Sequence, residues 1–128
     1  MTSLSEGRRI RARAFGQRAE TLAAEYLAAQ GYRILERKFT IRGGEIDIIA
    51  EREGAIAFVE VKARAGIEIA LGAITETKRR RLARAANAWI ARNPWAADGY
   101  VLRGDAVLLD GGPAPLHIED AFGLEFEG

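Results

Sequence analysis

The segment Gly43-Gly44-Glu45-Ile46-Asp47-Ile48-Ile49-Ala50, followed by Ile56-Ala57-Phe58-Val59-Glu60-Val61-Lys62, decides the fold of this 128-residue chain. The two runs are predicted to form a β-hairpin with Glu53-Gly54 at the centre of its turn, because glycine accepts the positive φ that tight hairpin turns require. A turn at that position places the two runs in a defined antiparallel register.

Side chains alternate between the two faces of a strand, so the register assigns every residue of the hairpin to a face. One face is wholly apolar, with the pairs Ile46–Val61, Ile48–Val59 and Ala50–Ala57. The opposite face carries Glu45–Lys62, Asp47–Glu60 and Ile49–Phe58. A slip of one residue would exchange the faces, and the predicted register is therefore strongly specified.

The opposed carboxylates of Asp47 and Glu60 are the most informative pair in this register. Directly opposed Cβ atoms lie about 4.5–5.5 Å apart, and like charges at that spacing destabilise a sheet. A divalent cation between them removes the conflict, since magnesium takes oxygen ligands at about 2.0–2.1 Å. With Lys62 beside them, they predict a metal site for phosphodiester chemistry. An ordinary solvated face is the alternative, because exposed charge on the open face of a hairpin is common.

The rest of the chain predicts a central mixed sheet flanked by helices. The predicted elements are a helix over 15–30 ended by Gly31, a strand over 32–40, hairpin strands over 44–51 and 56–64, a loop over 65–74, a helix over roughly 76–92 capped by Thr75 and ended by Asn93-Pro94, a strand over 99–109 and a short strand over 116–118. Residues 1–14 are expected to be a flexible basic arm, and residues 15–128 a single domain.

Both predicted helices are amphipathic. The first buries the stripe Ala19, Leu22, Ala23, Tyr26 and Leu27, and the second the stripe Leu82, Ala85, Ala86, Trp89 and Ile90. Glu20 lies at the edge of the first stripe. It either projects towards the sheet or is plain surface.

Composition excludes several classes of protein. The chain has no cysteine, which removes disulfides and thiolate metal sites and fits a reducing cytoplasm. Its apolar runs are too short to span a bilayer or to form a signal peptide, so we expect a cytoplasmic protein without a membrane partner. The net charge is only +1.

The second helix carries a concentrated run of cations. Its members are Lys78, Arg79, Arg80, Arg81 and Arg84. Cations beside an acidic metal site suit a nuclease, because they hold the phosphates that flank the scissile bond. A solvated helix face is the alternative. His117, the only histidine, is assigned no role.

Asp47, followed after twelve residues by Glu60-Val61-Lys62, resembles the PD-(D/E)XK motif of restriction-endonuclease-like nucleases. The whole chain resembles the YraN-like family of small bacterial endonuclease-like proteins, which are related to Holliday-junction resolvases. The resemblance covers about residues 15–122. It is carried by Gly16, Glu20, Gly31-Tyr32, Gly44-Glu45-Ile46-Asp47, Phe58-Val59-Glu60-Val61-Lys62-Ala63-Arg64, Gly72, Lys78, Arg81-Leu82, His117-Ile118 and Ala121-Phe122.

The resemblance implies a restriction-endonuclease-like core of order α-β-β-β-α-β and a magnesium- or manganese-dependent endonuclease acting on DNA, branched or Holliday-junction-like DNA included. It implies that Asp47, Glu60 and the Val61 carbonyl hold the metal, with Glu20 acting through a water. Lys62 would position the attacking water or stabilise the transition state. Flanking phosphates would be held by Arg64, Lys78, Arg79 and Arg81. A homodimer follows by analogy with junction resolvases.

Two alternatives stand beside this interpretation. The chain could be a nucleic-acid-binding module without catalysis, in which the basic helix binds backbone and the carboxylates are structural. It could also be an interaction protein that docks a basic partner through the acidic residues of 105–128, which contain no lysine or arginine.

Overall fold

The computed structural model describes residues 18–64, 66–121 and 123–124. Its elements are α1 (18–29), β1 (Arg33–Ile41), β2 (Gly44–Arg52), β3 (Ala55–Ala63), α2 (Ile67–Gly72), α3 (Glu76–Arg92), a 3-10 helix (Pro94–Ala97), β4 (Val101–Leu109) and β5 (Leu116–Ile118). This confirms the predicted order, with two additions: the segment 65–74, predicted as a loop, contains α2, and a 3-10 helix follows α3. The predicted arm over 1–14 lies outside the described residues.

The five strands form one mixed sheet in the order β1-β2-β3-β4-β5. Neighbours are antiparallel except β3 and β4, which are parallel along their whole length. The parallel pair needs a crossover, and α2 and α3 supply it. The predicted mixed sheet flanked by helices is therefore confirmed. Among the described residues, no helix combines the length and the apolar character needed to cross a membrane.

The turn between β2 and β3 confirms half of the predicted register. Glu53 and Gly54 have φ of 48° and 79°, the left-handed conformation that a two-residue hairpin turn demands. Ile48 pairs with Val59, Ile49 with Phe58 and Ala50 with Ala57, as expected. The predicted pairs Ile46–Val61, Asp47–Glu60 and Glu45–Lys62 are not part of the β2–β3 ladder, which ends at Ile48–Val59 because the strands separate there.

The strands β1 and β2 change face at Lys38 and Asp47. Arg37 pairs with Ile48 and Phe39 with Ile46, and the two residues between them are skipped in the pairing, while Lys38 has a φ of 54°. Ile46 consequently packs in the same core as Phe39 and Ile49, and not with Ile48. The prediction that Ile46 and Ile48 share a face is wrong, because the irregularity shifts the alternation by one residue.

Each face of the sheet has its own core. On one side α3 packs with Leu82, Ala85, Ala86 and Trp89. On the other side α1 packs with Ala19, Ala23, Ala24 and Leu27. Three stripe predictions need correction. Leu22 is 44 % exposed while Ala24 is buried in its place, and Tyr26 and Ile90 are only partly buried.

Candidate active site

Strands β2 and β3 separate at the open end of their hairpin, opposite the Glu53-Gly54 turn. Along the fully described strands, β2 remains paired with β1 as far as Gly44 and β3 with β4 as far as Ala63, whereas the β2–β3 pairing ends at Ile48–Val59. The strands separate there, and a cleft of about 350 Å³ lies at the separation. It is lined by Ala19, Glu20, Glu45, Asp47, Glu60, Val61, Lys62, Ala63, Arg64, Lys78 and Arg81.

Asp47 lies where the strands separate and replaces a backbone acceptor. The Val61 N–H donates to its Oδ2 at 2.8 Å. Burial raises the pKa of the half-buried Asp47 to about 7, and the nearby charge of Glu60 adds to the rise, although the hydrogen bond from Val61 opposes both. Glu20 and Glu45 raise this pKa further. The surroundings of Asp47 therefore disfavour its charged form.

The backbone of Val61 also faces the cleft. A strand residue directs its N–H and its C=O to the same neighbouring strand. Because the Val61 N–H points to Asp47, its carbonyl oxygen is directed to the same side, where the β2 ladder has already ended. This orientation agrees with the ligand role that the resemblance implied for the Val61 carbonyl.

Glu60 and Lys62 form an ion pair in the cleft. Lys62 Nζ lies 3.1 Å from Glu60 Oε1, and the side chains are only 14 % and 13 % exposed. Burial lowers the pKa of Lys62, but hydrogen bonding with Lys78 and the charge of Glu60 outweigh burial, so that the pKa of Lys62 is raised. Burial and the contact with Lys62 lower the pKa of Lys78. The pair therefore favours the charged form of Lys62.

Glu20 projects from α1 into the cleft and is not plain surface. It is 6 % exposed, and Arg37 Nε donates to its Oε1 at 3.2 Å. Arg37 also donates from Nη2 to Thr21 Oγ1 at 3.0 Å, which fixes the arginine against α1. The sequence did not identify Arg37. Its assignment to the α1 face follows from its pairing with Ile48 in β2.

The first turns of α3 bring cations to the opposite side of the cleft. Thr75 caps the helix as predicted, since the Lys78 N–H donates to its Oγ1 at 3.3 Å. Lys78 and Arg81 line the cleft together with Arg64, as expected. Arg79 is not among the lining residues, because successive helix residues project about 100° apart.

The cleft supplies oxygen donors of the kind that magnesium and manganese prefer. Within the described ranges, no three His, Cys, Asp or Glu side chains are grouped closely enough to hold a metal ion. Asp47, Glu60 and the Val61 carbonyl are two carboxylates and one neutral oxygen, a set that suits Mg²⁺ because this ion keeps several of its waters. Burial and the charges of Glu60, Glu20 and Glu45 raise the pKa of Asp47, and a further positive charge in the cleft would oppose that rise.

A second polar cluster lies away from the cleft, around the fully buried Asp105. Arg103 binds both of its carboxylate oxygens, at 3.1 and 2.9 Å, and His117 Nε2 lies 2.8 Å from Oδ2. The Asp120 N–H donates to Oδ1 at 3.0 Å. Burial alone would raise the pKa of Asp105, but these hydrogen bonds hold it below its ordinary value. His117, to which the sequence assigned no role, thus ties β5 to β4.

Together, a mixed sheet covered by helices and a cleft of carboxylates and cations define an α/β protein with a candidate metal and anion site. The chain belongs to the uncharacterised protein family UPF0102, whose model matches residues 19–109, and the YraN-like resemblance is confirmed at this level.

Relatives cover most of the chain. It is 51 % identical over 110 residues to a UPF0102 protein of Methylobacterium nodulans, covering 86 % of this chain and 84 % of the relative. It is 47 % identical over 114 residues to one of Rhodopseudomonas palustris, covering 89 % and 87 %. A relative from Methylocella silvestris is 50 % identical over 111 residues, covering 87 % and 89 %.

Proposed function

We propose that this protein is a metal-dependent endonuclease that hydrolyses phosphodiester bonds in DNA on a restriction-endonuclease-like core. The observation that carries the proposal is the position of Asp47, at the point where β2 and β3 separate. Burial and Glu60 raise its pKa to about 7, and Lys62 lies against Glu60 at 3.1 Å. Asp47, Glu60 and Lys62 thus line one cleft together with the backbone of Val61.

Each residue has a role in this proposal. Asp47, Glu60 and the Val61 carbonyl would hold Mg²⁺ or Mn²⁺, and Glu20, kept in place by Arg37, would reach the same cleft through a water. The bound cation would supply Lewis-acid neutralisation of the phosphate charge and would make the attacking water more acidic. Lys62 would stabilise the negative charge that grows on the phosphate in the transition state.

The cations at the rim would bind the substrate. Arg64, Lys78 and Arg81 line the same cleft and would hold the phosphates on either side of the scissile bond. Branched DNA is the substrate class we propose to test first, and action as a homodimer belongs to the same proposal. Both rest on the relation to junction resolvases.

The test is cleavage of branched, flapped and linear DNA with Mg²⁺ or Mn²⁺. We expect cleavage by the native protein and a loss of at least about 100-fold in Asp47→Ala, since loss of an outer-sphere partner alone costs up to that much. Asp98→Ala is the matched control, because Asp98 is exposed and lies outside the cleft. No cleavage of any substrate, or equal cleavage by Asp47→Ala, would overturn the proposal.

The alternative to the proposed endonuclease is a nucleic-acid-binding module without catalytic activity. That module would bind DNA with strong dependence on salt and without turnover. Replacement of Lys62 by alanine would then leave binding unchanged.

A further inference from the structure

The turn between β1 and β2 lies directly against α3. A Cβ atom on Gly44 would lie 2.8 Å from the Arg81 carbonyl oxygen and 2.9 Å from the Ala85 nitrogen, closer than side chains tolerate. Only glycine therefore permits this approach. The contact fixes the turn beside the same helix that carries the cations of the cleft.

The same contact brings another arginine to the turn. A Cβ atom on Gly43 would lie 3.4 Å from Arg84 Nη1, so the Arg84 guanidinium lies over the turn. Arg42, the residue before Gly43, is exposed, as is Arg84. The turn therefore contributes one exposed arginine, Arg42, and α3 contributes a second, Arg84, whose guanidinium lies against the turn.

These cations continue the line that begins in the cleft. Lys78, Arg81 and Arg84 follow one another at intervals of three residues, so each is about 4.5 Å further along α3 and rotated by about 60°. The line from Lys78 to Arg84 rises about 9 Å along the helix axis, which corresponds to about two or three nucleotides at 3.4 Å of axis per phosphate. We call Arg42, Lys78, Arg81 and Arg84 the α3–turn ridge.

The opposite side of the cleft has the opposite charge. Glu20 projects from α1, and Glu45 is exposed and lines the cleft. Glu45 directs its side chain to the α1 face, because its neighbour Ile46 packs in the α3 core. A phosphate chain that enters the cleft therefore meets the exposed charge of Glu45 on the α1 side, where Arg37 pairs with Glu20, and cations on the α3 side.

We propose that Arg42 and Arg84 are phosphate-binding residues that lead the backbone of a DNA strand out of the cleft and over the β1–β2 turn. This rests on the proposed function in taking DNA as the ligand, but it concerns binding and not cleavage. Arg42 and Arg84 act together with Lys78 and Arg81, and the strand does not cross α1.

The first experiment measures binding of a short DNA duplex by fluorescence anisotropy in EDTA, as a function of salt. Loss of one phosphate contact lowers the slope of log K against log salt by about 0.9. We expect that decrease for Arg84→Ala and about twice as much for Arg42→Ala/Arg84→Ala. Arg33→Ala is the control with the same change of charge, since Arg33 is 68 % exposed, pairs with Glu51 and starts β1 at the far end of the sheet.

Equal changes of slope in Arg33→Ala and Arg84→Ala would overturn the proposal, because the effect would then come from net charge. Absence of duplex binding by the native protein would overturn it as well. A native protein that binds with the expected slopes but cleaves nothing supports the ridge and contradicts the proposed endonuclease. If the native protein cleaves DNA but Arg84→Ala leaves the slope of log K against log salt unchanged, the result supports the proposed endonuclease and contradicts the ridge.

A second experiment locates the contact. Single phosphates of the duplex are replaced by neutral methylphosphonates, one position at a time, and affinity is measured for the native protein and for Arg84→Ala. We expect one position at which the neutral phosphate weakens binding of the native protein but not of the variant, as a double-mutant cycle requires for a direct contact. No coupled position at all would overturn the assignment of Arg84.

Discussion

The cleft around Asp47 and the polar cluster around Asp105 both place an aspartate among cations, and they treat it in opposite ways. Asp105 is fully buried, but Arg103, His117 and the Asp120 amide satisfy it, and its pKa is lowered. Asp47 receives one backbone hydrogen bond, faces Glu60, and has a raised pKa.

The difference separates a structural carboxylate from one adapted for a ligand. A buried carboxylate whose oxygens all accept hydrogen bonds stabilises the native state and has no oxygen left to bind a ligand. An acid whose charge is disfavoured in the native state costs stability, and such strain is typical of functional sites. Burial by itself would raise the pKa of both acids, so burial does not account for the opposite shifts. The balance of charge around each acid does.

The largest change in the free energy of unfolding is expected from Asp105→Ala. The change leaves Arg103 and His117 without their shared carboxylate, and breaking a buried ion pair costs about 3–5 kcal/mol. Because the pKa of Asp105 is lowered in the native state, its contribution is present above the unfolded pKa of 3.8 and is lost as pH falls through the lower native value. Urea denaturation at pH 7 measures the free energy of unfolding.

The control for this change is the exposed Asp98→Ala, for which we expect a change within about 0.5 kcal/mol. A loss in Asp105→Ala no greater than that of the control would contradict the structural role of the cluster.

Asp47→Asn is expected to increase the free energy of unfolding, whereas Asp105→Ala decreases it. In EDTA the variant should be more stable than the native protein at pH 8, on the order of 1–3 kcal/mol. The pKa of Asp47 is raised from 3.8 to about 7, so the native protein loses stability as pH rises between these values, while asparagine has no proton to lose. The advantage of the variant should therefore grow from pH 4 to pH 7 and vanish below pH 4.

Urea denaturation across this pH range measures the effect. A variant that is equally or less stable at pH 8 would show that the native protein tolerates the charge of Asp47 without cost. The comparison between the two clusters would then fail.

The smallest effect is expected from Arg37→Ala, which removes the ion pair with Glu20 at the edge of the cleft. The Arg37 side chain is 40 % exposed, and pairs of this kind contribute about 0.2–1 kcal/mol. Thermal denaturation of Arg33→Ala provides the reference, since Arg33 lies on β1 like Arg37 and pairs with Glu51 of β2, but its side chain is 68 % exposed. A larger loss in Arg33→Ala than in Arg37→Ala would contradict the positioning role of Arg37.

Local patterns predicted the parts of the fold that depend on neighbouring residues. The turn at Glu53-Gly54 and the alternation on both strands were sufficient to place Ile48 opposite Val59. Thr75 and the apolar stripe were sufficient to place α3. The same register brought Asp47, Glu60 and Lys62 to one end of the hairpin, although the pairing predicted between Asp47 and Glu60 is not part of the ladder. Glu20, Arg64, Lys78 and Arg81 lie outside the two hairpin strands, and their place in the cleft was implied by the family resemblance.

The remaining features depend on contacts that no local pattern contains. The change of face requires a positive φ at Lys38, a residue type with no preference for that conformation, so Ile46 was assigned to the wrong core. The short helix α2 has six residues, too few for a clear period. The Asp105 cluster joins Arg103 to Tyr32, a separation of 71 residues, and sequence alone gives no sign of it.

The change of face at Lys38 and Asp47 also has a mechanical consequence. The end of the β1–β2 hairpin belongs to the α3 core through Phe39 and Ile46, and Gly44 holds it against the helix backbone. A substitution that displaces this hairpin end would therefore also displace α3, because Gly44 leaves no space between the turn and the helix backbone.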